Sequence, residues 1–142
     1  MRSWRNRETN RWQIAAESFF LLLAGGVLYY GLEVLWRGHS HISMAFCGAL
    51  CLYLLYHMNT SLRRIPFLLR ALIGACIITA VEFVAGCVVN LWLGWNVWDY
   101  SHLPLQLLGQ ICFPYFILWF LLCIPICLLC FGIRRLVFEK DV

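Results

Sequence analysis

The sequence predicts an all-α integral membrane protein, a four-helix bundle with both termini on the cytoplasmic side. Three observations carry this. The composition is oily: of 142 residues, 63% are hydrophobic and 13% charged, with a mean hydropathy of +0.78, whereas a soluble domain is nearer half apolar and a quarter charged. Four apolar runs each approach the ~20 residues that cross ~30 Å of hydrocarbon. Ten of the 11 basic residues fall at what would be one side of such a bundle. Disorder, a coiled coil and an ordinary water-soluble enzyme are excluded by the first observation. The length allows one domain, with no room for a nucleotide-binding domain beside the spans.

Residues 1–14 read as a basic cytoplasmic arm, MRSWRNRETNRW at its start, with Trp4 and Trp12 suited to the membrane interface. The following run is too long for a signal-peptide core, so the arm is expected to be retained. The transmembrane domain covers residues 15–137. Its first span is Ala15 to Trp36. The second is short, about Ile42 to Tyr56, extended by Ser40 to Asn59. The third is Pro66 to about Leu93, with the proline at the helix start, where its missing N–H costs nothing. The fourth is about Leu107 to Val137, and it carries Pro114 and Pro125, each expected to bend it. Residues 138–142 form a cytoplasmic tail. No run alternates with period two, which argues against a β-barrel.

Orientation follows from the bases. The arm carries Arg2, Arg5, Arg7 and Arg11; the second loop and its edge carry Arg63, Arg64 and Arg70; the tail carries Arg134, Arg135 and Lys140. The first loop has only Arg37, and the third loop has no base and holds Asp99. Positive charge stays cytoplasmic, which puts both termini inside. Clusters placed this way explain the net charge of +4 by topology, so no nucleic-acid partner is expected. In the third loop, Trp92, Trp95, Trp98 and Tyr100 suit the outer headgroup layer as anchors.

Polar groups inside the spans are the functional candidates, because hydrocarbon penalises them. Glu82, Gly86 and Asn90 recur every four residues and share one helix face. Gln106 and Gln110 have the same spacing at the start of the fourth run. Together Glu82, Asn90, Gln106 and Gln110 would line an outward-facing polar crevice, with Arg37 and Asp99 as further substrate-binding groups on that side. The structural alternative is a buried Glu82 bonded to Gln110, Ser43 or Tyr115. Glu33 and Arg37 stand in the favourable order for an ion pair on one helix. His39 and His41, with Asp99 and His102, could converge on a metal, but the default is a polar loop capping the second helix through Ser40 or Ser43. The eight cysteines, Cys47, Cys51, Cys76, Cys87, Cys112, Cys123, Cys127 and Cys130, lie mostly in apolar runs and read as structural thiols.

There is no GxxxxGK[ST] phosphate loop, no HExxH and no GxSxG. The chain is therefore expected to need no cofactor, to bind no metal and to be no enzyme. If ATP drives it, a separate ATPase subunit must supply the energy. Small residues such as Gly25, Gly26, Gly48, Gly74 and Gly86 suit close helix packing and a homo-oligomer.

The residues Arg37-Gly38-His39-Ser40-His41 with Ser43-Met44, Ala80-Val81-Glu82-Phe83 with Gly86 and Asn90, Trp98-Asp99-Tyr100-Ser101 with Pro104, and Gly109-Gln110-Ile111-Cys112 with Trp119 carry a resemblance. Over residues 16–137 the chain resembles the family described as Putative ABC-transporter type IV, small multi-pass permease-like proteins of the bacterial cell membrane. It departs from the family pattern at Gln106, where an Asn is expected. The resemblance implies a permease-like transport component. Two alternatives stay open beside it: a dimeric proton-coupled transporter using Glu82, and a non-transporting scaffold or lipid-interacting subunit.

Overall fold

Apolar runs without water have to satisfy every backbone group internally, and a helix does so within one segment. The computed structural model describes residues 2–138, and side chains from 10 to 136; Trp4 and the first three arginines, as side chains, and most of the tail with Lys140 lie outside the described part. Helix α1 runs Arg2–Arg37, α2 Ile42–Ser61, α3 Phe67–Gly86 and α4 Phe113–Ile133. Helix α1 continues without a break through the described part, residues 2–14, of the basic arm expected at residues 1–14. Among the described residues, four stretches are long and apolar enough to cross a membrane: Asn10–Arg37, Ile42–Ser61, Phe67–Trp92 and Phe113–Leu136. Most of their surface is apolar and outward-facing, with Phe19 69%, Phe46 72%, Val84 63% and Leu128 62% exposed. That pattern suits helices solvated by lipid, which offers no hydrophobic reason to hide leucine.

The helices end where their residues dictate. Gly38 takes a φ of +77°, which a side chain would resist, and closes α1. His41 caps α2: its Nδ1 accepts from the Ser43 amide at 3.2 Å. Pro66 occupies the N-cap of α3. The last turn of α3, Cys87–Trp92, widens into π-helical bonding, with Leu93 N donating to Val88 O at 2.9 Å.

Two expectations about the fourth segment change. Residues 106–112 are not helical. They form a two-stranded antiparallel hairpin, β1 Gln106–Leu107 against β2 Ile111–Cys112, and α4 starts at Phe113. Apolarity alone did not separate strand from helix over this short stretch. Pro114 consequently stands in the first turn of α4, where no backbone bond is lost; only Pro125 is interior.

Short connections make α1–α2 and α2–α3 antiparallel neighbours, and α4, joined to α3 by the long 93–112 segment, packs back against α3. Helices α1 and α2 approach closely over small residues: a Cβ on Gly25 would lie 2.5 Å from the Gly48 carbonyl oxygen, and one on Gly26 3.1 Å from that of Ala45. Helix α3 presents Ala71, Gly74, Ala75, Ile78, Glu82 and Gly86 inward, a 3-4 stripe that α4 meets with Trp119 and Cys123. Ala71, Ala75 and Cys123 are fully buried there. The thiols of Cys123, Cys127 and Cys130 thus fill the α4 seam.

Gly48→Ala forces a methyl into Tyr29 and the Gly25 carbonyl, both within van der Waals distance. It should destabilise the bundle by ~1–3 kcal/mol, typical of overpacking. Gly31→Ala, where a Cβ meets nothing within 4 Å, should be neutral or slightly stabilising. Thermal denaturation of the purified protein in detergent compares the two.

Candidate functional site

Chemistry concentrates at one end of the bundle, where the segment from Leu93 to Cys112 folds back over α1, α3 and α4. Helix α3 supplies Glu82, buried at 7% exposure. Its Oε1 accepts from the Tyr100 hydroxyl at 2.8 Å, and its Oε2 accepts from Trp119 Nε1 at 3.0 Å. One carboxyl group therefore ties the loop to α4. Tyr100 also stacks on Tyr115, with centroids 4.5 Å apart and rings 18° from parallel. Burial and the adjacent Glu82 carboxyl push the Tyr100 phenol well above its ordinary range, so it stays a donor.

A second clamp sits two turns away, at Asn90. Asn90 Nδ2 donates to Gln110 Oε1 at 2.8 Å, and Asn90 Oδ1 accepts from the Val97 amide at 2.7 Å. The carbonyl of the same Val97 accepts from Arg37 Nη2 at 2.9 Å. One loop residue is thus held from α1 and α3 together. The Trp98 indole donates to the Gln110 carbonyl at 3.0 Å. Gly86 has to be glycine: a Cβ there would lie 2.5 Å from Gln110 Oε1 and 3.0 Å from the Trp98 ring.

The hairpin turn has its own order. The Gly109 amide donates to Gln106 Oε1 at 2.7 Å. Gly109 adopts φ +68°, and a Cβ would press to 2.7 Å from Asp99 Oδ1. Its carbonyl accepts from Tyr100 N at 2.7 Å. Asp99 is exposed and turns the chain by accepting from the Ser101 amide at 2.8 Å and hydroxyl at 2.9 Å. Those bonds, the amide first, hold its carboxyl below the usual aspartate range.

On α1, Glu33 is buried. Its Oε1 accepts from Arg37 Nη1 at 2.6 Å, the ion pair the spacing predicted, and its Oε2 accepts from Ser40 at 2.5 Å. Between these groups and α4 lies a cleft of about 450 Å³, walled by Tyr29, Leu32, Glu33, Trp36 and Arg37 of α1, by Tyr115, Leu118, Trp119 and Leu122 of α4, and by Trp98, Asp99, Tyr100, His102 and Leu103 of the loop. That volume is typical of a small-molecule site.

The six residues singled out from the sequence divide here. Arg37 and Asp99 line the cleft. Glu82 stands behind Tyr100 and Trp119, facing a small neighbouring space of about 20 Å³. Asn90 and Gln110 are buried in each other's bond at the loop clamp, and Gln106 is exposed and serves the hairpin turn. The four-residue crevice of Glu82, Asn90, Gln106 and Gln110 therefore does not form; the bonds that those amides make within the loop close it. Glu82 bonds Tyr100 and Trp119 in place of Gln110, Ser43 or Tyr115. Trp98 is not a headgroup anchor but buried at 6% exposure, and Tyr100 is half-buried; Trp92 and Trp95 are the exposed rings, at 80% and 53%. His41 Nδ1 is engaged with Ser43, its ring beside Trp95, while His102 joins the cleft. Sequence reasoning passed over Tyr29, Trp36 and Leu118 as cleft walls. The 3-4 spacing of Tyr29, Leu32, Glu33 and Trp36 was the available signal.

A family model described as Putative ABC-transporter type IV matches residues 18–138. No curated protein and no solved structure matches the chain. The family model spans most of the sequence, and the chain belongs to this family.

Glu82→Ala leaves the buried Trp119 donor without an acceptor, at ~1–3 kcal/mol, and the half-buried Tyr100 hydroxyl without one at less. The variant should melt earlier in detergent and expose the 93–105 loop to limited proteolysis, and Glu82→Gln, which keeps one acceptor, should lie between it and the wild type. A separate outcome concerns pH. The Asp99 carboxyl is held low in the folded chain, so its contribution is complete above the unfolded aspartate range and is lost as pH falls through the depressed value. Hydrogen exchange at the Ser101 amide, corrected for intrinsic rate, should speed up over that acid window, and Asp99→Asn should remove the dependence.

Proposed function

We propose that this member of the ABC-transporter type IV family is a permease-like transport component whose substrate path is the cleft between α1 and α4. The observation that supports this most directly is the cleft itself. It is about 450 Å³ in size and carries Glu33, Arg37, Asp99 and His102 at its mouth, with Tyr29, Tyr115 and Trp119 deeper in. Transport needs a site that a solute can enter from one side of the bilayer. A packed scaffold would have no use for such a void.

The basic residues Arg11, Arg63, Arg64, Arg70, Arg134 and Arg135 belong to the opposite ends of the spans from the cleft mouth. By the positive-inside rule both termini are cytoplasmic and the mouth faces outward, which for a bacterial cell membrane is the external face. The chain has no phosphate-binding loop, so a separate ATPase subunit supplies the energy, docking on the basic cytoplasmic ends. In this scheme Glu82 is a positioning residue, holding Tyr100 and Trp119 in the cleft wall. That distinguishes it from the proton carrier of a proton-coupled transporter, which would have to face the path.

The test is ATP-dependent accumulation in proteoliposomes containing the chain together with an ATPase subunit that co-purifies with it. Uptake that needs ATP and falls severalfold with Leu118→Trp, which fills the cleft, is expected. Uptake driven by a pH gradient without ATP, and abolished by Glu82→Gln, would overturn the scheme in favour of proton coupling. Orientation is checked with an impermeant thiol reagent on two single variants: Ser40→Cys should react from outside and Ser61→Cys from inside.

A further inference from the structure

We infer that the path between α1 and α4 accepts a phospholipid-class amphiphile, one acyl chain lying along the two helices and its phosphate at Arg37. This deepens the transport scheme by naming the substrate class, and it rests on that scheme only for the idea that the occupant moves.

The cleft does not end at Trp119. A second cavity of about 390 Å³ adjoins it, and both are walled by Tyr29, Leu32, Trp119 and Leu122. The two form one groove. Its polar groups are confined to the loop end; past Tyr29 the walls are Gly25, Leu28, Ile126 and similar residues, with no charged side chain. From Trp36 to Gly25 along α1 the groove descends 11 residues, about 17 Å at 1.5 Å per residue. That is close to half of the ~30 Å hydrocarbon thickness. A molecule in the groove therefore meets polar groups at headgroup level and only hydrocarbon down to the midplane, the profile of a lipid in one leaflet. A polar solute would find no partner over the lower half.

The groove also opens sideways. Leu28, Leu32, Leu118 and Leu129 on its rims are 50%, 49%, 37% and 41% exposed, so a chain could enter from the bilayer without crossing water. At the mouth the acids are occupied: Glu33 by Arg37 and Ser40, Asp99 by Ser101. Arg37 uses two N–H groups, on Glu33 and on the Val97 carbonyl, of the five that a guanidinium carries. The remaining donors, on a side chain 30% exposed, suit a phosphate, which arginine recognises better than any other side chain does.

The experiment uses the full-length chain in nanodiscs with a phosphatidylglycerol bearing a photoreactive diazirine near the acyl terminus, and the corresponding diacylglycerol as the phosphate-free probe. Labelled sites are mapped by mass spectrometry. Labelling concentrated on the facing stripes of α1 and α4, around Leu28 and Leu122, over the outer-face residues Phe19 and Leu121 is expected. Leu32→Trp and, independently, Leu122→Phe should each reduce groove labelling severalfold and leave Phe19 unchanged. Arg37→Gln should lower the preference for the phosphate probe over diacylglycerol about tenfold, the contribution of one charge-assisted hydrogen bond. Labelling equal on all faces, or a groove shielded by a second copy of the chain in a dimer, would overturn the inference. Labelling is measured without ATP or the ATPase, so its result stands apart from the outcome of the transport assay.

Discussion

A carboxyl group buried in an apolar bundle, and shared between a loop and a helix, is the constraint on which the rest of this molecule depends. Glu82 has to find donors or bear the full cost of desolvation. It finds them in Tyr100 and Trp119, which belong to different elements, so satisfying the acid also joins those elements. The two rings are then positioned as a wall. With Tyr115 stacked on Tyr100 and tilted against Trp119 at 5.9 Å, the aromatic side of the cleft has its shape set from behind.

The amides follow the same logic. Asn90 uses its oxygen and its nitrogen on two parts of the loop, and Arg37 reaches Val97 from the other side. Loops over a membrane protein need such ties, because water is available to them as an alternative partner and nothing apolar presses them down. Here the ties end on side chains rooted in the spans. The loop is accordingly part of the bundle's packing, and the left-handed conformations of Leu105 and Leu108, at φ +49° and +52°, are held in a hairpin whose turn is bonded at both Gly109 and Gln110.

Helix packing decides where the opening falls. Helix α1 is drawn against α2 by glycines, and α4 against α3 by a stripe of small residues and thiols. Each pair is tight, and the bulky rings and leucines of α1 and α4 are left to face one another. Tyr29 and Trp119 meet at 6.2 Å between centroids and divide the resulting groove into a polar and an apolar part. The groove thus follows from pairwise packing: two tight helix pairs leave a cleft along the side where their bulky faces meet.

The sequence by itself determined the membrane class, the four spans, the Glu33–Arg37 pair and the importance of Glu82, Gly86 and Asn90, because hydropathy, length and helical spacing are local quantities. It also carried the family resemblance that the match over residues 18–138 bears out. Partners were another matter. That Gln106 serves a hairpin turn, that Gln110 is taken up by Asn90, that Trp98 is buried and that α4 waits until Phe113 all depend on where a folded-back loop lands, which no periodicity encodes. Only the tertiary structure decided that the cleft lies between α1 and α4 and not along the Glu82–Asn90 face. A polar group inside hydrocarbon must be bonded to something, and whether that something is a ligand or the chain itself is settled by long-range contacts alone.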